Sequence, residues 1–215
     1  MKIMVTAFDA FGGESVNPAL EVVNLLPNEL LAHRIVKVVL PTVFQKSRTV
    51  LMEAVRRENP DVLLSVGQAG GVSAIRVERV AINIDDARMP DNEGQEPIDC
   101  VIEENGAPAY FSNLPIKRMV SDLEARGIPA QVSNSAGTFV CNHVMYQGLF
   151  LADQEFPEML AGFVHLPYLP KQVVSRPTLP SMSKELMVEA LMQLLVTIIE
   201  NTGQKDVILS GGSLF

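Results

Sequence analysis

The chain has 215 residues, with 17 basic against 25 acidic side chains and a formal net charge of −8. That length suits one large domain with an ample core, and the acidic balance excludes a protein that tracks nucleic-acid phosphates, which needs a basic face. Two cysteines, Cys100 and Cys141, cannot build a disulfide framework, so a reducing cytoplasm is the expected setting. Mean hydropathy is +0.20, yet the longest apolar stretch, 186–199, is interrupted by Glu189, Gln193 and Thr197 and is too short to span a bilayer. The first residues, Met-Lys-Ile-Met-Val, read as a strand and lack the pattern of a secretory leader, so a soluble intracellular protein is expected.

In chain order, short apolar, β-branched runs alternate with helical periods. Residues 2–7 read as a strand, followed by Asn17-Pro18 as the start of a helix and by a second strand at 35–40. Over 42–58 the residues Val43, Phe44, Ser47, Val50, Leu51, Ala54 and Val55 share a helix face, with Thr42 to Gln45 as a capping box and Asn59-Pro60 as the stop. Strands are predicted at 61–66 and 75–84, and a polar, acidic stretch between Ile84 and Ser112 is long enough to be a functional loop. A helix over 115–126 presents Ile116, Met119, Val120 and Leu123, with Gly127 as its C-terminal cap. A strand at 130–133, a helix over 140–151 and a strand at 161–165 follow. Prolines 167, 170, 177 and 180 argue against regular structure, and the helix over 183–201 is apolar almost all round, which implies deep burial or a subunit interface. The tail 205–215 has no clear period, and no internal repeat is visible. Alternation of this kind predicts a single domain, 1–215, with three α/β/α layers: an open, twisted, mostly parallel sheet with helices on both faces.

Sites in open α/β sheets lie beyond the carboxyl ends of the strands. Cys141 falls there, in the first turn of a helix whose N-terminus favours a thiolate. It reads either as a nucleophile or as a small buried hydrophobe. A cysteine nucleophile needs a base. His33 precedes its strand, on the wrong edge, and His143 lies about 200° round the helix from Cys141. His165 ends the strand Ala-Gly-Phe-Val-His and is selected by elimination, although a histidine that merely caps an apolar strand looks the same. Phe8-Asp9-Ala10-Phe11-Gly12-Gly13 and Gly67-Gln68-Ala69-Gly70-Gly71 reach the same edge, and neither has dinucleotide or P-loop spacing. Phenylalanines beside such loops suit a flat, uncharged ligand, or simply a core. No His-Glu-x-x-His, paired CxxC or Gly-x-Ser-x-Gly occurs, so no metal, no cofactor and no serine nucleophile is expected.

The blocks at 8–18, 67–83, 86–92 (Asp-Ala-Arg-Met-Pro-Asp-Asn), 133–142 (Ser-Asn-Ser-Ala-Gly-Thr-Phe-Val-Cys-Asn) and 163–167 resemble the pyroglutamyl peptidase I family, also called pyrrolidone-carboxylate peptidase. The resemblance implies a phosphorylase/hydrolase-like sheet and a cytoplasmic cysteine exopeptidase that removes N-terminal pyroglutamate from peptides. It implies Cys141 as nucleophile, His165 as base and Glu78 as the residue orienting the histidine. It also implies an oxyanion site from Cys141 N–H and Arg88, and a substrate pocket from Phe8, Phe11, Asn17, Gln68, Phe139 and Val140. Peptides with N-terminal pyroglutamate are the implied partners, with no nucleic acid and no membrane, and the assembly is a homo-oligomer, dimer or tetramer. Residue-level reasoning does not reach Glu78, which reads equally as an exposed residue alternating with Val77 and Arg79. Ala10 and Arg76 depart from the family pattern, Arg76 standing where a small hydroxyl residue is usual. Two other classes remain open: a nucleoside phosphorylase-like enzyme with phosphate at Gly12-Gly13, and a non-catalytic binding or redox module.

Overall fold

The computed structural model describes residues 1–212. The first half of the chain lays down β1 (Lys2–Phe8), α1 (Pro18–Leu25), the short β2 (Glu29–Leu30), β3 (His33–Leu40), α2 (Phe44–Glu58) and β4 (Val62–Gln68). After these come β5 (Ile75–Glu78), β6 (Val80–Ile82), β7 (Ala109–Phe111), α3 (Ile116–Ala125), β8 (Ala130–Ser133), α4 (Val140–Gln154), β9 (Leu160–Leu166) and α5 (Lys184–Asn201). Seven strands form one sheet in the order β2-β3-β1-β4-β9-β5-β8.

The strands β3, β1, β4 and β9 are mutually parallel, as a mostly parallel α/β sheet requires. Period-two alternation divides their side chains between two apolar layers. Ile3, Val5, Leu64, Val66, Val77 and Val164 face α1, α3 and α5. Met4, Leu63, Ala161 and Phe163 face α2 and α4. All seven residues of β4 are buried, because both of its faces are covered.

Two local departures from the sequence reading matter for the site. The run 75–84 is not one strand. At Arg79 the backbone N–H donates to Ser133 O (2.8 Å), while Arg79 O accepts from Ser112 N (2.8 Å). That residue passes the chain from β5 in the main sheet to β6, which pairs only with β7. In addition, β5 runs antiparallel to β9 and β8 runs parallel to β5, so these two strands, like the short edge strand β2, run opposite to β3, β1, β4 and β9.

The helix ends show where local signals were overruled. Asn17 Oδ1 accepts from Ala19 N at 3.0 Å and caps α1 as its sequence implies. The Thr42–Gln45 capping box is absent, because α2 starts at Phe44 and the Thr42 hydroxyl donates instead to Asp9 Oδ1 (2.7 Å). Asp91, 47 residues away in sequence, accepts from Phe44 N at 3.2 Å. Asn59 takes the left-handed conformation (φ 45°) and ends the helix ahead of Pro60. In α5 the apolar side chains Met187, Leu191, Leu194, Leu195 and Ile198 are fully buried against a layer shared with α1 and α3, so burial within the chain accounts for that face.

Part of the tail is structural. The Asp206 carboxylate accepts from Lys117 N (2.9 Å) and Arg118 N (3.0 Å), supplying the anionic cap that α3 lacks locally. Arg79 Nη2 donates to Gly211 O at 2.7 Å. Residues 213–215 of the unassigned tail lie outside the described residues. Replacing Asp206 by Ala is expected to lower stability by about 1 kcal/mol, the usual worth of a helix N-cap, read as a shift of the urea midpoint at constant slope.

Candidate active site

The site forms where two strands of opposite direction meet. Arg76 and Val77 of β5 register with His165 and Val164 of β9, so Glu78, two residues beyond Arg76, shares a face with the imidazole. His165 Nδ1 and Glu78 Oε1 are 2.8 Å apart, with Glu78 fully buried and His165 6% exposed. A carboxylate at this depth needs a charged hydrogen-bond partner, and the Nδ1–H of His165 donates to it. That bond sets the tautomer and leaves Nε2 free to face the Cys141 thiol, which is near enough to act on the ring's titration. Glu78 Oε2 is buried with no partner among the described residues.

Burial alone pushes the His165 pKa down, but the charge of Cys141, its hydrogen bond to the ring, and then Glu78 together raise it to about 10. The imidazole therefore stays protonated near neutral pH and sets a cation beside the sulfur, the setting of a cysteine nucleophile.

Cys141 is the second residue of α4, whose first turn has no side-chain cap. It is partly exposed, whereas Cys100 is exposed. Access to the sulfur depends on Gly67 near the end of β4. A Cβ there would sit 3.0 Å from Cys141 Sγ and 2.8 Å from Phe163 Cζ.

The expectation that the cysteine turn lies at the carboxyl edge shared with His165 needs correction. Because β8 runs opposite to β9, Ser133 registers with Glu78, below the level of the Arg76–His165 pair. The turn 134–139 carries the chain back up before α4 begins. Gly137 (φ 80°) and a bond from Gly137 N to Ser135 Oγ (3.1 Å) shape that return. Thr138 then latches onto the loop after β6, with Thr138 Oγ1 donating to Asp86 O (2.7 Å) and Asp86 N donating to Thr138 O (2.9 Å).

The other two histidines are engaged elsewhere. His33 Nδ1 meets the N-terminal amine at 2.7 Å. His143 is fully buried, with Nδ1 2.8 Å from Asp85 Oδ2 and its ring edge-on to Phe44.

Phe11 and Phe139 stand together, ring centroids 6.2 Å apart at 36°, with Phe44 edge-on to Phe139. A flat ring between them needs about 7 Å, two van der Waals contacts, so its entry requires the partly buried Phe11 to shift. Phe8 is buried against Phe163. Asn17 is buried, its Nδ2 donating to Asp9 O (2.9 Å) in addition to its cap bond. Gln68 Oε1 accepts from Gln172 Nε2 (2.9 Å), and Val140 is fully buried at the start of α4. Arg88 is exposed and makes no hydrogen bond or ion pair among the described residues.

Sequence reasoning missed the polar row on α4. Asn142 joins Ile82 and Ile84, Tyr146 donates to Ala107 O (2.7 Å), and Gln147 donates to Glu103 Oε1 (2.9 Å), which also accepts from Arg48 Nε (2.9 Å). Polar residues at i, i+1, i+4 and i+5 read as a solvated face, but here the stretch 83–108 covers them. This stretch is therefore a strap fastened along the nucleophile's helix. Among the described residues no group of three His, Cys, Asp or Glu side chains is placed to hold a metal ion, and no helix is long and apolar enough to cross a membrane.

A cysteine at a helix start beside a buried histidine–carboxylate pair on an α/β sheet is the arrangement of a thiol hydrolase. The family model described as pyroglutamyl peptidase matches residues 1–201. A pyrrolidone-carboxylate peptidase of Streptococcus suis is 53% identical over 213 residues, 99% of each chain. The crystal structure of pyroglutamyl peptidase I from Bacillus amyloliquefaciens superposes with a TM-score of 0.91 at 44% identity, covering 96% of this chain and 99% of that one. A mutant pyrrolidone carboxyl peptidase of Pyrococcus furiosus gives a TM-score of 0.90 at 40% identity, over 93% and 99%. The chain belongs to the pyroglutamyl peptidase family.

Glu78→Gln removes one of the charges that keep the proton on His165. The imidazole is then expected to titrate below about 10, and the midpoint is read by NMR of the ring protons; an unchanged midpoint would show that the carboxylate does not act on the ring. Gly67→Ala is expected to slow alkylation of Cys141 by a small thiol reagent while leaving Cys100 labelling unchanged.

Proposed function

We propose that the chain is a cysteine exopeptidase that removes N-terminal pyroglutamate from peptides, with Cys141 as nucleophile, His165 as acid and base, and Glu78 as the group that orients the imidazole. The observation that carries this reading is the buried Glu78–His165 pair beside Cys141, in a chain of the pyroglutamyl peptidase family.

In this reading the Cys141 thiolate attacks the carbonyl that joins pyroglutamate to the next residue. His165 gives its proton to the departing amine and leaves a thioester on the sulfur. The now neutral imidazole takes a proton from water, which hydrolyses the thioester and restores the pair. Oxyanion donors are the N–H of Cys141 in the first turn of α4 and the Arg88 guanidinium, unpaired among the described residues and carried on the strap. Pyroglutamate carries a lactam where other N-termini carry an ammonium, so its site needs no carboxylate to receive it. Phe11 and Phe139 take the flat ring, with Gln68 and backbone groups on the lactam N–H and C=O, while Phe8, Asn17 and Val140 hold these loops from behind.

A reactive thiolate suits the reducing cytoplasm. By family resemblance the protein works as a homo-oligomer, a dimer or tetramer, with 1–215 as one domain. The phosphorylase-like and non-catalytic readings find no support in the family match.

Hydrolysis of a chromogenic pyroglutamyl amide tests the proposal. The wild type should turn over, and Cys141→Ser should lose at least about 10³-fold in kcat. A prolyl amide lacks the ring carbonyl and should be disfavoured by about 10⁴-fold in kcat/KM. No cleavage by folded wild type would sink the reading. Substoichiometric iodoacetamide should modify Cys141 ahead of the more exposed Cys100 and abolish turnover in proportion; preferential labelling of Cys100 with full activity would count against the ion pair.

A further inference from the structure

We propose that Arg76 forms a carboxylate-binding subsite on the leaving-group side of the scissile bond, which favours pyroglutamyl peptides whose second residue carries a negative charge; this rests on the peptidase reading above.

The argument starts from register. Arg76 of β5 pairs with His165 on one side and with Gln131 of β8 on the other. Directly opposed residues point to one face of a sheet, and residues two apart in a strand share it. Arg76 therefore lies on the same face as the imidazole and Glu78, while its neighbours Ile75 and Val77 enter the opposite apolar layer.

A guanidinium stays charged at any working pH. The residue is half-buried, and its Nε is buried without a hydrogen-bond partner. Among the described residues no carboxylate lies within 4.0 Å of it, whereas Arg48, also partly buried, is held by Glu103 and Arg176 by Glu14. Glu78 is the only carboxylate on the same strand, and its Oε1 is held by His165. The fold thus keeps a cation in register with the reacting histidine and, among the described residues, with no carboxylate within 4.0 Å.

Substrate chemistry supplies the missing partner. The pyroglutamyl ring is neutral and offers no anion on the acyl side. The leaving peptide departs as an amine that takes its proton from His165, so a residue paired across the strands with His165 borders the leaving side. Carboxylates reach that side from two sources: an Asp or Glu side chain following pyroglutamate, or the terminal carboxylate of a pyroglutamyl dipeptide. Either one matches the planar fork of an arginine.

Four substrates separate these sources: pyroglutamyl-glutamate amide against pyroglutamyl-glutamine amide, and pyroglutamyl-alanine against its amide. At low salt the wild type should favour the acid-bearing member of at least one pair by about five- to tenfold in kcat/KM, mainly through KM, the scale of a partly exposed charged contact. The pair that shows the preference names the source. In Arg76→Gln the ratio should fall to near one, and in Arg76→Lys part of it should remain, since the charge persists without the fork. Added salt should erode the wild-type ratio, a readout that needs no variant to fold. A wild-type ratio of one in both pairs, a preference insensitive to salt, or a preference that survives Arg76→Gln would overturn the proposal. Because each measurement is a ratio between cleaved substrates, failure here is distinct from failure of the peptidase reading, in which no neutral substrate is cleaved.

Discussion

A fully buried carboxylate keeps its charge only beside a cation, and the partner Glu78 has is the His165 imidazole 2.8 Å away. Much of the architecture serves to bring those two side chains together. They come from strands 87 residues apart in sequence, and their meeting depends on β5 entering the sheet antiparallel to β9. With β5 shifted by one residue, Glu78 would face the apolar layer under α3 and α5, where no cation waits. Register, charge pairing and the elevated imidazole pKa are thus one constraint seen at three levels.

The nucleophile is held by a different device. Cys141 sits at the start of a helix whose polar face would ordinarily meet solvent but is covered by the strap between β6 and β7. The buried His143–Asp85 pair fastens the strap two residues beyond Cys141 on the far side of the helix, and the Thr138–Asp86 latch fastens it just before α4. Cross-links from both ends leave the first turn of α4 little freedom, which suits a thiol that must hold its place beside one imidazole. At the other side Gly67 leaves room for the sulfur, so the approach of β4 to α4 is limited by the absence of a single Cβ.

Charge is arranged differently at the surface and around the Glu78–His165 pair. Surface pairs such as Arg56–Glu155 and Lys46–Glu93 are neutral as pairs and contribute little to stability, so the overall −8 is the excess of acids over bases along the chain. Glu78, fully buried, is paired with the His165 imidazole, while Arg76 and Arg88 have no carboxylate within 4.0 Å among the described residues.

Much of the fold was legible in the sequence because its signals are local. β-branched runs, the Asn17-Pro18 start, the Asn59 stop and the 3.6-residue period of α2 and α3 each act within a few residues, and the structure keeps them. Cys141 and His165 also stood out as candidates, but through a shared carboxyl edge that the reversal of β8 removes. What depends on partners distant in sequence was not legible from pattern alone. The reversal of β5 and β8, the break at Arg79, the cap that Asp91 lends to α2 and the one Asp206 lends to α3 are all fixed by contacts across the fold. Glu78 belongs with these. Its composition and spacing allow an exposed residue as readily as a buried one, and only the pairing of β5 with β9 places a histidine beside it. The sequence determined which residues could do chemistry; the tertiary structure decided which of them meet, because a buried charge is tolerated only where the fold delivers its partner.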